Sequence, residues 1–502
     1  MIEIINENTK LYQKNTKKAD RKNKGQFFTP LNISKYMASM SKIRNRHLRI
    51  LDCGAGTGIL GLALLEELLK DDLVETIEID FYENDKDVIS ILNRDIEAMN
   101  NLIKESDKVI KFNVLEENFI ISNTAVWKNK SFQGIYDIVI SNPPYKKLSK
   151  QSDESKVVSD IVYGQPNIYF IFMAMSIHLL KNNGEMIFIT PRSFTSGAYF
   201  KKFREYMLTE VGISSIHIFN SRSEVFDGEE VLQEAIITRA VKNQEFENIN
   251  IISTNNSNFS NKEIFKIPYN TVVNMECDNK FILIPSSEKE INILNIMKSW
   301  ENNLITLGFK LKTGPVVDFR ATEYLTNIYV KDETVPLLWS DNFIDNEIKL
   351  LENEDNFRYI LNNDKSKSLL LDNKNYLLVK RFTAKEEKRR IQVAIYDVSK
   401  FNEYVKIGIE NHVNYVTKIK GNIDNEELFG LFCLFNSTII DKYYRIVNGN
   451  TQVNATEANA IPLPNIDIIK KMGKELLKIN SLTTEVCDEV INRFNNFSWL
   501  QN

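Results

Sequence analysis

The residues with the clearest chemical potential are Asn142-Pro143-Pro144-Tyr145. They follow Tyr136–Ser141, an apolar run that predicts a buried strand. Two prolines in succession end such a strand and stiffen the turn after it. The turn then carries an amide oxygen and backbone carbonyls as acceptors, with a flat aromatic ring beside them. Open α/β sheets bind ligands at the carboxyl ends of their strands. This combination suits chemistry on a planar amine, such as the exocyclic amine of a nucleobase.

A second group lies earlier in the chain. Leu51-Asp52-Cys53-Gly54-Ala55-Gly56-Thr57-Gly58 reads as a strand-to-helix turn, where glycines let a backbone approach a ligand that a Cβ would repel. Glu83 ends the next candidate strand, where a carboxylate can accept from both hydroxyls of a ribose. The dinucleotide spacing G-x-G-x-x-G is not met, because Gly54, Gly56 and Gly58 are followed by Gly61. By itself the turn leaves a dinucleotide and another nucleoside ligand both open. The four cysteines form no CxxC pair and the four histidines no HExxH pair, so no metal site is expected.

Elements that could position these groups are visible in the patterning. Candidate strands are His47–Cys53, Thr76–Glu83, Lys108–Val114, Tyr136–Ser141, Glu185–Thr190, Ile213–Phe219 and Val231–Ala240. Helical periodicity lies between most of them, at Gly61–Lys70, Asp85–Asn100 and Ile168–Leu180. The alternation predicts an α/β fold: a seven-stranded, mostly parallel, Rossmann-like sheet with an antiparallel hairpin at one edge. Residues 8–24 are polar and lysine-rich and read as a mobile arm, with the N-terminal arm as a whole spanning 1–24. The sheet domain is expected over 25–245. A polar stretch rich in Asn and Ser follows, and 246–502 reads as a separate α+β domain with a long helix at Glu427–Val447.

With 502 residues, 43% hydrophobic and 26% charged, the chain reads as a globular protein with a large core. No run of 18 apolar residues and no signal-peptide pattern is present, so a cytoplasmic protein without a membrane span is expected. A net charge of −4 excludes a uniformly basic coat but not a local basic cleft. Such a cleft is expected around Lys146 and Lys147, and around residues 380–390. The latter stretch holds six basic residues against two acidic ones, among them Lys380, Arg381, Lys388, Arg389 and Arg390.

Taken together, these motifs resemble the S-adenosylmethionine-dependent DNA adenine-N6 methyltransferases of the gamma class. The chain is similar in particular to the PstI/BsuBI-like type II modification methylases. Gly25-Gln26-Phe27-Phe28-Thr29-Pro30 resembles the motif that contacts the methionine end of the cofactor. Asp52 to Gly58 resembles the cofactor loop, Glu83 the ribose-binding acid, and Asn142 to Tyr145 the catalytic motif. Asn113 stands where the family often has an acid facing the cofactor adenine. Pro191-Arg192-Ser193-Phe194, Glu224-Val225-Phe226, residues 313–320 and Phe435-Asn436-Ser437 also look like that group.

The resemblance implies a class I methyltransferase sheet followed by a C-terminal target-recognition domain. It implies S-adenosyl-L-methionine as cofactor and double-stranded DNA as partner, bound by a monomer. A separately encoded cognate restriction endonuclease is implied as well. Asn142 and the Pro143 carbonyl would accept from the adenine amine, and Tyr145 and Phe226 would stack on the flipped base. Pro144 completes the catalytic turn, and CTGCAG is offered as a target sequence. The alternatives are a cytosine-N4 methyltransferase, an RNA or protein amine methyltransferase, and a non-catalytic DNA-binding protein on the same scaffold. Asp341 with Glu347-Ile348-Lys349 also has a loose nuclease-like spacing.

Overall fold

A computed structural model describes residues 2–219, 234–275, 277–351, 356–383, 387–449, 451–479 and 481–495. The chain forms two compact units, Met1–Ser287 and Glu288–Asn502.

The first unit is built on a nine-stranded sheet. Its strands are β1 (His47–Asp52), β2 (Thr76–Tyr82), β3 (Val109–Leu115), β4 (Tyr136–Ser141), β5 (Leu180–Pro191), β6 (Val211–Phe219), β7 (Ala235–Lys242), β8 (Asn248–Thr254) and β9 (Glu263–Pro268), in the order β3-β2-β1-β4-β5-β7-β6-β8-β9. The first five of these pair in parallel, and β7 inserts antiparallel between β5 and β6. Strand order reverses between β1 and β4, which opens the crevice where such sheets take ligands. The helix Ile168–Leu179 covers this sheet and is apolar nearly all round, and Tyr169 to Leu179 are all buried.

Three expectations need correction here. The sheet has nine strands rather than seven, because β8 pairs onto β6 and β9 onto β8. Ile249 and Ile251 are fully buried in that extension, so the first unit runs past residue 245 to Ser287. Residues 1–24 are not a mobile arm. They form α1 (Ile2–Asn15) and α2 (Lys18–Lys24), and Ile2, Ile5 and Thr9 are buried against the sheet unit. The Thr9 and Thr57 hydroxyls meet at 2.7 Å, and Arg21 donates to the carbonyls of Gln13 and Thr16, closing α1 onto α2.

The second unit carries a six-stranded and a five-stranded sheet. The long helix expected at Glu427–Val447 is two helices, Asn425–Phe435 and Thr438–Val447. Ser437 caps the second by accepting from Ile440 N–H, which breaks the first at Asn436. No helix among the described residues is long and apolar enough to cross a membrane.

Candidate active site

The crevice at the switch point holds a cavity of about 630 Å³. Its floor is the turn after β1, from Cys53 to Thr57, and Gly54 and Gly56 supply the close approach. A Cβ on Gly54 would sit 3.4 Å from the Phe172 ring, and Gly56 has φ +55°. Glu83 leaves β2 into the cavity wall. Its carboxylate accepts from the N–H groups of Gly56 (2.9 Å), Asn84 (2.8 Å) and Asp85 (2.9 Å). Burial nevertheless raises its pKa, because desolvation outweighs those bonds.

Asp52 and Gly58 lie beneath this floor rather than on it. The Asp52 carboxylate is fully buried and accepts from Gly61 N–H at 3.1 Å, which fastens the start of α4 (Ile59–Leu68). Burial, with repulsion from Glu83, pushes its pKa up to about 7. Gly58 has φ +80° and packs against Leu92, where a Cβ would come within 2.6 Å.

The segment Gly25 to Pro30 closes the other side. Gln26, Phe27, Phe28 and Thr29 line the cavity, and Pro30 precedes α3 (Leu31–Ser39) as its N-cap. Gln26 and Lys24 both donate to Asp85 Oδ2 at 2.7 Å, tying this segment to the start of α5 (Lys86–Leu102). Gln26 Oε1 is buried with no hydrogen-bond partner among the described residues.

Asn142 enters at the end of β4. Its Nδ2 donates to the Phe27 carbonyl at 2.6 Å and to Thr29 Oγ1 at 3.1 Å. With both acceptors on one side, the amide oxygen must point the other way. There Oδ1 accepts from the Tyr145 hydroxyl at 2.7 Å, which also lies 3.0 Å from the Ile189 carbonyl. Gly25 accepts from Tyr145 N–H at 3.1 Å, and its φ of +74° fits it against that backbone. Phe27 stacks on Tyr145 at 5.4 Å. Thus the 25–30 motif, expected to hold only cofactor, also braces the Asn142 turn.

Asn113 does not line the cavity. It is paired across β2 with Asp80, and its amide donates to Glu78 (2.8 Å) and Asp80 (2.6 Å). Residues 117–119 take its place on the wall. Asn118 N-caps the short helix α6 (Phe119–Ser122), which presents Phe119 to the cavity. An Asn before Phe-Ile-Ile is a cap signal that could have located this wall. Sequence reasoning also missed Lys24, Asp85 and Phe172.

Arg192 is structural. It forms a buried ion pair with Glu234 at 3.0 Å, fastening the end of β5. Lys146 and Lys147 are exposed, but their backbones are bonded to Ile168 and bridged to Asn167. Phe226, like Glu224 and Val225, lies outside the described residues.

These features match known proteins over nearly the whole chain. Residues 60–226 match the family described as Eco57I restriction-modification methylase. The chain is 33% identical to the type II methyltransferase M.BsuBI of Bacillus subtilis, over 90% of each chain. It belongs to the type II restriction-modification methyltransferases. Identity to M.PstI of Providencia stuartii is 31%, over 93% of this chain and 92% of that one. Among solved structures, the type IIL restriction-modification enzyme MmeI in complex with DNA shares the fold. It has a TM-score of 0.54 and 14% identity, covering 93% of this chain and 72% of that one. The methyltransferase therefore takes S-adenosylmethionine as cofactor and DNA as substrate.

The cavity fits that cofactor. Glu83 offers a buried carboxylate for vicinal hydroxyls, Gly54 and Gly56 make room for a chain against the backbone, and Phe119 offers a ring face. Gln26 lines the same space.

In the second unit the expected DNA contacts divide. Lys388 is exposed and Lys380 half-buried. Arg389 and Arg390 are corrections. Arg389 is half-buried and donates to the carbonyls of Phe435 and Ser437, satisfying the helix break. Arg390 is 1% exposed and donates to Thr383 Oγ1 and Asn448 Oδ1. The nuclease-like spacing also resolves into ion pairs: Asp341 with Arg358, Glu347 with Lys400 and Lys349 with Asp345.

Proposed function

We propose that the methyltransferase modifies the N6 amine of an adenine within a specific duplex sequence. The orientation of Asn142 carries this reading. Its Nδ2 is spent on Phe27 and Thr29, which leaves Oδ1 as the acceptor on a residue that lines the cavity. Oδ1 has two lone pairs, of which Tyr145 takes one. The other can accept one N–H of an aromatic amine while the Pro143 carbonyl accepts the second. Both bonds draw the nitrogen toward tetrahedral geometry and release its lone pair from the ring. Bound S-adenosylmethionine supplies the electrophilic methyl group. Once alkylated, the nitrogen is acidic and releases its extra proton to solvent, so no general base is needed before the transfer, and positioning and preorganised acceptors supply most of the rate.

The base must leave the duplex to reach this site, at a cost of a few kcal/mol, about what stacking on aromatic side chains returns. Phe27 backs one face of Tyr145, and we assign the other face to the base. Phe226 is proposed to cover the base from its far side. Residues 25–287 are proposed as the catalytic domain and 288–502 as the target-recognition domain, with Lys146, Lys147, Lys380, Arg381 and Lys388 toward DNA. A monomer on its site, a cytoplasmic setting and a separately encoded cognate nuclease complete the proposal, supported by membership of the family.

Single-molecule sequencing of DNA from cells expressing the protein tests it. The expected result is N6-methyladenine in one sequence context, with CTGCAG the first to inspect. N4-methylcytosine, the other amine that these acceptors accommodate, or unmodified DNA would overturn it.

A further inference from the structure

Four segments of the second unit meet at one end of its six-stranded sheet. The strands Phe309–Thr313 and Tyr376–Lys380 end there, and Val393–Tyr396 and Val413–Lys418 begin there, as the pairs Thr313↔Asn414, Lys380↔Val413 and Val379↔Val393 require. Gly314 lets the first connection lie against the third: a Cβ would fall 2.2 Å from the Glu410 carbonyl. Asn411 N–H then donates to Val316. Arg381 N–H donates to the His412 carbonyl at 2.9 Å, and Phe382 bridges to Gln452.

The side chains that emerge there are unusual for a free surface. Phe382 is 42% exposed, with the Arg381 guanidinium 5.3 Å from its ring centre and the His412 ring at 4.9 Å. Arg381 is anchored by donation to the Asn411 carbonyl at 3.0 Å. His412 is held by Glu410, a fully buried carboxylate that accepts from its N–H and meets its Nδ1, both at 2.7 Å. Nε2 is therefore the ring nitrogen presented outward. Lys312 and Lys388 are exposed at the same end. Among the described residues the acids nearby are Glu410, consumed by His412, with Asp318, Glu387 and Asp345.

Arg390 donates to Thr383 Oγ1, which in turn donates to the Arg390 carbonyl, and Arg445 donates to the carbonyls of Glu387 and Lys388. An aromatic ring, a guanidinium and an imidazole, flanked by exposed lysines, fit the grooves of duplex DNA. Cations meet phosphates, while Arg and His reach base edges beside an apolar contact. We propose that Arg381, Phe382, His412 and Gln452 form the surface with which this unit reads its target sequence, with Lys312 and Lys388 on flanking phosphates. The identity of the ligand rests on the function proposed above.

The test uses the full-length protein and duplexes enriched from a random pool on the wild type. Arg381→Met, Phe382→Ala and His412→Ala should each weaken binding to the enriched duplex about 5- to 150-fold. Discrimination against a single changed base pair should fall with it, while S-adenosylmethionine affinity by calorimetry stays unchanged. Lys312→Ala and Lys388→Ala should instead weaken all duplexes alike and lower the salt slope by about one each. Phe382→Leu repeats the measurement if the alanine variant loses cofactor affinity through misfolding. Variants within twofold of the wild type on both duplexes, or a pool that never enriches, would overturn the surface. A wild type that discriminates duplexes yet leaves adenine unmethylated would sink the proposed function and leave this surface standing.

Discussion

The Asn142 turn and the basic run at 380–390 both drew attention by composition, and the fold treats them in opposite ways. At Asn142 the residues that suggested chemistry line the crevice or brace it. In the basic run the two consecutive arginines that looked most like phosphate ligands are turned inward. Arg389 caps a broken helix and Arg390 ties a loop to Thr383 and Asn448. A proline pair at a strand end dictates local geometry from local sequence. Charge dictates only that a partner is needed, and buried carbonyls serve an arginine as well as phosphates do.

The largest effect belongs to the buried arginine. Replacing Arg390 by alanine strands the Thr383 and Asn448 acceptors and opens a large void in the second unit. A loss of about 3–5 kcal/mol is expected, the usual cost of deleting a large buried side chain, with unpaired acceptors adding to it. Chemical denaturation of the full chain should show it as a lowered midpoint for one transition. An unchanged denaturation profile would return Arg390 to the surface.

Next comes Asn142→Ala, which removes one preorganised acceptor and leaves the fold intact. Turnover should fall about 10²- to 10³-fold, or about 2.7–4 kcal/mol in the barrier. Cofactor and duplex affinities should stay within a few-fold. Near-wild-type turnover in a methylation assay would refute the acceptor role.

What the sequence disclosed follows the same division. Strands β1 to β4 stand out as apolar runs, and the turns that follow them carry the site. The last two strands of the sheet were hidden because β8 sets buried Ile249 and Ile251 among Asn248, Asn250 and Ser253, which reads as a polar linker. The α1 stripe of Ile2, Ile5 and Thr9 was masked in the same way by lysine and asparagine. Asn113 failed on register: alternation along β3 sets it beside Asp80, in a polar cluster off the cavity, and spacing alone does not fix which face a strand residue takes. The Thr29–Asn142 bond was invisible because it joins residues 113 apart in sequence.

That bond supplies a smaller test. Thr29→Val removes one of two acceptors that hold the Asn142 amide, so the amide can rotate between productive and unproductive settings. Turnover should drop by an amount equivalent to about 0.5–1.5 kcal/mol, the usual worth of a single hydrogen bond. Thr29→Ser should restore it, because the hydroxyl is kept. If Thr29 served the cofactor alone, the same change would raise the KM for S-adenosylmethionine and leave kcat in place. The split between the two constants therefore decides which partner the hydroxyl serves.

The smallest effect belongs to Lys388, the exposed neighbour of Arg389 and Arg390. Truncation to alanine removes no buried contact, so stability should move by less than about 0.5 kcal/mol. Its charge should still count on DNA: one phosphate fewer is neutralised, and the slope of log K against log salt should flatten by about one. Arg390→Ala predicts the reverse pairing, a large loss of stability with no specific change in salt slope per folded molecule. Measured side by side, the two variants ask whether a basic residue's role follows from its exposure or from its place in a charged run. Equal salt slopes for the wild type and Lys388→Ala would mean that even the exposed lysine lies off the DNA path, and that the reading edge stops at Arg381 and His412.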